Sequence, residues 1–502
     1  MSLPKYLTQV LLLLVALSIA GCSSSSNDEP TSLIEAINEL DQAQVFASWA
    51  AKPEISAILS KNNQVIIVPT DEAIQTLLTA LNASDLSDEA ILDLVQTHVS
   101  ADILTLTVGQ TTTSLNGVEL TYNSDGINGG AVLVNKTVAS EGSIMVINKV
   151  LIPNKLRLPY SSPNFEQNAA AEIAIGSDLL SLASYFSGLR PSSTGEMRGT
   201  TLSGVEAVLA PLREVSSASF LDLVDTYYKS QLVDAANGGD FHPDSSATFN
   251  GSGGGFTRTG SKRYFYYKDG TETQQIIEKG FYMATMYNQL NVALSNISAS
   301  TADKVIALIG ATPAFANSAS ASVSPDRLGS NYFARRDKNE PGINGIYRAL
   351  QYNVSALNVA IIMNDTEALA RLKTEILLNY ERGIIATIAN YLHSTTASIS
   401  KTAPTDDDLS AAMHAYSEAL GFMLGFVDLP TFADQAELGT IWNQMLQPNN
   451  ETGEFNVSLI ATDRFESAQR NNRALDAIQA LYGFSDQEMQ DFSFNWINEQ
   501  GR

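Results

Sequence analysis

One cysteine, four histidines and 30 basic residues against 54 acidic ones set the first limits on this 502-residue chain. The cysteine is Cys22, so no intrachain disulfide is available and the fold must rest on hydrophobic cores. The net charge of -24 leaves few cations to follow a phosphate backbone, which argues against a nucleic-acid partner. His98, His242, His393 and His414 show no spacing that suggests a triad, and no Gly-x-Ser-x-Gly elbow appears. Nucleophilic catalysis therefore has no support, and the chain is expected not to be an enzyme, with a hydrolase hidden in its helical part kept as a third reading. Past the first residues, no apolar run approaches the ~20 residues needed to span a bilayer.

The first residues read as a leader. Lys5 supplies a positive charge, Val10–Leu17 form an apolar run, and Ile19-Ala20-Gly21-Cys22 follow at once. Residues 1–21 therefore read as a secretory signal peptide. The Ile-Ala-Gly-Cys tetrad resembles the lipobox of bacterial lipoproteins. That resemblance implies a mature chain that begins at Cys22 and carries lipid there, with Ser23 implying the outer membrane. Residues 22–30, from the serine run to Pro30, read as a polar tether. The membrane, reached through this anchor, is one expected partner. The remaining length suits two or three domains of ~150 residues each.

Residues 31–154 mix helical and strand periods. Leu33, Ile34, Ile37 and Leu40, then Phe46, Trp49 and Ala50, give helical stripes. Val65–Val68 predict a buried strand closed by Pro69, and Thr70 an N-cap followed by Asp71 and Glu72. Ser87 caps a second helix with the stripe Ile91, Leu94, Val95 and His98. Asn116-Gly117 marks a hairpin turn between Thr111–Leu115 and Val118–Tyr122. Strands Val132–Asn135 and Ile144–Leu151 complete the set. Four of its segments, Val65–Ala73, Leu94–Val99, Leu115–Gly117 and Val146–Pro153, together resemble the fasciclin (FAS1) domain. The resemblance implies an α+β wedge with an adhesion or protein-interaction role. Thr97 departs from it, since the family usually has Tyr before the His. His98 reads as a hydrogen-bonded core residue whose ring donates to a carbonyl.

Pro159, Ser161, Ser162 and Pro163 form a linker, and residues 158–502 predict a mainly α-helical bundle. Its main helices are Ala169–Leu189, a long stripe from Ile276 to Leu290, Ile346–Met363, Glu367–Leu392, Asp408–Phe426 and Arg464–Tyr482. Two stretches interrupt the pattern. The glycine-rich Asn237–Phe256 reads as a surface loop, followed by an aromatic cluster that suits sugar or base binding and equally a β-ribbon turning at Asp269-Gly270. Ala311–Pro341 reads as a long loop. Tyr266–Gly270 with Gln275–Gly280, and His414–Phe422, together with Pro159-Tyr160 and Phe165, resemble a bacterial lipoprotein family known as domain of unknown function 4856. That family is loosely similar to imelysin-type proteins of iron uptake, but their Gly-x-His-x-x-Glu motif is missing here.

His414 and Glu418, four apart on one helical face, are the one pair with metal-like spacing. A site needs three or four ligands, and Glu375 and Glu381 are possible third partners. A local ion pair or hydrogen bond is the alternative. The Asp406-Asp407-Asp408 run reads as a helix N-terminus. No cofactor is expected beyond the lipid on Cys22. The expected function is protein interaction or adhesion through the first module, with an unknown envelope or surface protein as partner. A periplasmic metal- or iron-associated ligand-binding role is the alternative.

Overall fold

The computed structural model describes residues 32–102, 107–138, 142–190, 198–241, 254–256, 263–318, 326–340 and 345–502. The leader, Cys22, the tether, His242 and most of the glycine-rich loop lie outside the described residues.

Three short helices, Leu33–Asn38, Gln44–Ala50 and Pro53–Leu59, lead into a four-stranded sheet. Its strands are β1 (Gln64–Pro69), β2 (Val99–Ser100), and, after the small strands β3 (Thr111–Thr113), β4 (Glu119–Asn123) and β5 (Gly126–Ile127), β6 (Val132–Val138) and β7 (Gly142–Ile147). The order is β2-β1-β7-β6, with β1 parallel to β7 and the other pairs antiparallel. β1 is buried on both faces, which explains its unbroken β-branched run. Ile66, Val68, Ile144 and Val146 join the helices on one side. Val65, Ile67, Met145 and Ile147 meet Val118, Leu120 and Ile127 from the β3-β4-β5 sheet on the other.

Thr70 caps the helix Asp71–Ala80 as expected, accepting from the Ala73 amide. Asp71 does something the sequence does not show. Its carboxylate accepts from the Gln44 and Val45 amides at 3.0 and 2.7 Å, serving the open N-terminus of a different helix. The Asn116-Gly117 turn is present, with Gly117 at φ +85° and its amide donating to Ser114. The last strand is shorter than expected and ends at Ile147, where Asn148 turns back to bond Ala131.

The chain between the two modules is held down along its length. Arg371 donates to the Ile152 carbonyl and to Asn154 Oδ1, both at 2.5 Å. Asn353 donates to the Asn154 carbonyl at 2.6 Å, and Ser355 to the Leu158 carbonyl at 2.7 Å. Lys149 pairs with Asp365 at 3.0 Å. Arg157 forks onto Asp93, through Nε at 3.0 Å and Nη2 at 2.7 Å.

Beyond the linker the chain is mainly helical. The 34-residue helix Thr366–Ile399, about 50 Å long at 1.5 Å per residue, runs through the centre with much of its surface buried. Ile346–Ile362, Asp406–Leu424, Leu328–Arg336 and Arg464–Tyr482 pack around it. Thr405 and Asp408 form a capping box, so the acidic run does open a helix. The stripe from Ile276 to Leu290 is one helical passage whose middle, Tyr282–Tyr287, is π-helical.

Two expectations change. Within Ala311–Pro341 the structure has a helix, Leu328–Arg336, because Phe333 buries its ring edge-on to Tyr380. In addition, Asp269-Gly270 does not close the ribbon. The ribbon is a three-stranded sheet of Gly239–Asp240, Gly254–Phe256 and Tyr264–Tyr266. The Asp269-Gly270 turn joins its last strand to the helix Thr273–Phe281, with Gly270 donating to Tyr267.

Candidate functional site

The polar residues that the sequence singled out meet where Asp406–Leu424 crosses Thr273–Phe281. His414, Glu418, Gly421 and Gly425 follow one another at i, i+4, i+7 and i+11, which is one face of a helix. At the two glycines the helices nearly touch. A Cβ on Gly421 would stand 2.5 Å from the Gln275 carbonyl oxygen, and one on Gly425 would stand 2.4 Å from that of Gly280. Packing this close brings the polar half of the stripe onto Glu272, Glu278 and Lys279.

The result is a chain of alternating charge. Arg190 lies 3.9 Å from Glu272, and Glu272 Oε2 is 2.5 Å from His414 Nδ1. His414 Nε2 faces Glu418 at 3.7 Å, Glu418 is 3.4 Å from Lys279, and Lys279 is 2.5 Å from Glu278. Glu272 has no exposed side-chain surface and Lys279 has 6%. Buried charges persist only when paired, and each link here lies between opposite signs.

His414 decides the total. With its ring protonated, three cations meet three carboxylates; with it neutral, one negative charge is left over. Burial draws its pKa down, but the Glu272 and Glu418 charges and the Glu272 hydrogen bond outweigh that, and the pKa stands above 6.5. Burial also opposes the charge on Lys279, yet Glu278, Tyr332 and Glu418 hold it well above its usual value. Tyr264 stacks on the His414 ring at 4.3 Å and 8°, and Arg190 lies 5.2 Å over Tyr264.

His414 and Glu418 are therefore adjacent, as their spacing predicts, but their further partner is Glu272. Glu375 instead accepts from Asn154, and Glu381 accepts from Phe432, Ala433 and Tyr482. Among the described residues no group of three or more His, Cys, Asp or Glu is placed to hold a metal ion. The nearby Ser417 hydroxyl is committed: it donates to the Met413 carbonyl and accepts from the Glu272 amide. Thr273 Oγ1 and both ends of the Gln274 amide are buried and have no hydrogen-bond partner among the described residues.

Glu272, Lys279 and Arg190 were not legible as site residues. One signal was present, because Gln275–Gly280 and His414–Phe422 stand together in the resemblance drawn from sequence. Those two segments are the two sides of this joint.

His98 occupies the core of the first module. Its Nδ1–H donates to the Leu94 carbonyl at 2.7 Å and its Nε2 accepts from the Leu151 amide at 3.0 Å. Thr97 donates to the Asp93 carbonyl and accepts from Asn116, so Asn116 ties the hairpin turn to the preceding helix.

The fold thus defines an α+β domain followed by a mainly helical one. Residues 41–153 match the model of the fasciclin domain. No curated protein matches the chain.

Proposed function

We propose that this chain is an envelope-anchored lipoprotein whose fasciclin domain binds another protein, at the cell surface or in the periplasm, without a catalytic step of its own. The observation that carries the reading is the fasciclin match over residues 41–153, since that domain is generally linked to adhesion or protein interaction. The lipobox-like Ile19–Cys22 supports the anchor, with lipid on Cys22 and two or more acyl chains giving stable attachment. The surface of the domain supports the binding role. β6 ends its sheet, and edge strands are natural docking sites for an extended segment. Leu133 on β6 is 52% exposed.

Two experiments test the parts separately. Incorporation of labelled palmitate into the intact chain, lost in Cys22→Ala, is expected if the anchor is real; equal labelling removes it. A photo-crosslinking residue at Leu133 should capture a reproducible envelope protein that the same residue at Phe465, exposed on the helical module, does not. Identical captures from both positions would overturn the binding role given to the fasciclin domain.

A further inference from the structure

The Leu328–Arg336 helix, hidden in a stretch that reads as loop, carries two arginines into a cleft of about 650 Å³. Tyr332, Tyr391 and Lys401 also line it, together with Asn495 near the C-terminus. Among the described residues no Asp or Glu lines this cleft, although the chain holds 54 of them against 30 Lys and Arg. Lys401 is occupied by Asp408 at 2.6 Å, so the two arginines set the local field.

Arg336 is 6% exposed. Its Nη1 donates to the Phe492 carbonyl at 2.8 Å, while its Nε is buried and has no partner among the described residues. Burial lowers its pKa to about 10, which leaves it charged at neutral pH; the groups acting on it besides burial are Tyr391, Arg335 and Tyr332, none of them a carboxylate. A purely structural role, fastening the C-terminal segment and completing the helix C-terminus, uses one of five N–H donors and does not need a buried charge. An unpaired buried cation is costly unless something neutralises it.

We infer that this cleft binds a small oxyanion-bearing molecule, with its carboxylate or phosphate gripped by Arg336 and Arg335. The guanidinium fork matches two oxygens of either group. Arg335 lies 5.4 Å over the Tyr332 ring, which braces it beside Arg336. Tyr332 and Tyr391 offer ring surface to the rest of the ligand, and the volume is that of a small-molecule site. The cleft is also wired to the ionic chain. Lys279 stands 5.5 Å over the Tyr332 ring, and the Glu418 charge, after burial, helps hold the Tyr391 hydroxyl protonated.

Calorimetric titration of the intact protein with inorganic phosphate, and separately with succinate, tests the inference. At least one probe is expected to fill a single saturable site, and which one it is tells phosphate from carboxylate chemistry. Arg336→Lys keeps the charge but loses the fork, and should weaken binding about tenfold or more. Arg335→Gln, on a less buried residue, should also weaken it, and decides the matter if the first variant does not fold by circular dichroism. No saturation by either probe up to ~10 mM, or wild-type binding in the folded variants, overturns the inference.

Discussion

The Leu151 amide donates to Nε2 of His98 across 3.0 Å, and that one bond fixes which proton the ring carries. Nδ1–H points at the Leu94 carbonyl, so Nε2 must stay bare to accept. Protonating it would set N–H against N–H inside a closed core.

Acid should therefore loosen the fasciclin domain through His98. Burial lowers its pKa from 6.5 to about 4, against a smaller upward pull from Leu94. The unfolded chain takes the proton first, so the stabilisation is complete above pH ~6.5 and is lost as pH falls through about 4. The shift corresponds to about 3 kcal/mol. Hydrogen exchange of the Leu151 amide, corrected for intrinsic rate, should lose protection over that window. His98→Gln should cost about 1–3 kcal/mol at neutral pH and flatten the response. An unchanged acid slope in the variant would show that other groups govern it.

His414 should behave in the opposite sense. Its folded pKa is raised, so its contribution is fully present below pH ~6.5 and fades as pH rises through the folded value. NMR titration of its ring should give a midpoint above that of an unstructured histidine, and Glu272→Gln should bring it down. A wild-type midpoint at or below the ordinary value would mean that burial outweighs the two carboxylates.

The Arg157 fork on Asp93 should matter more than a surface pair. Asp93 is buried and accepts from the Arg157 amide as well as from its guanidinium. Asp93→Asn is expected to lower stability by about 1.5–3 kcal/mol, read by urea denaturation. A loss within a few tenths would rank it with exposed pairs.

Gly421→Ala should destabilise, although alanine is the better helix former by about 1 kcal/mol. The added methyl meets the Gln275 carbonyl oxygen at 2.5 Å, and backbone cannot swing aside as a side chain can. A cost of about 1–3 kcal/mol, with the His414 midpoint displaced in the same variant, is the expected pair of results. A stabilised protein would show that propensity wins and that the helices part cheaply.

Much of the fasciclin domain was legible because its signals are local. Val65–Val68 are β-branched, Thr70 and Ser87 cap helices, and Asn116-Gly117 turns the chain. In sequence Asp71 suits the first turn of its own helix, because a cap supplied to a neighbour leaves no mark there. In the helical module the long amphipathic passages were visible. The Leu328–Arg336 helix was not, since nine residues of mixed Ser, Asn and Arg resemble loop until Phe333 finds Tyr380. His414 and Glu418 were visible as a pair on one turn. Glu272 lies 142 residues upstream, and only the crossing brings it near.

That crossing ties two properties usually free to vary separately. At most helix contacts a chain can exchange charges without touching volume, or volume without touching charges. Here the glycines set the gap and the acids and bases fill it, on the same stripe a few residues apart. Added bulk at Gly421 or Gly425 would separate the ionic partners, and a lost partner would leave a charge where the gap admits no bulky replacement. Changes at this joint should therefore be tolerated in matched sets across both helices, and a variant library screened for folding should recover them as pairs rather than singly.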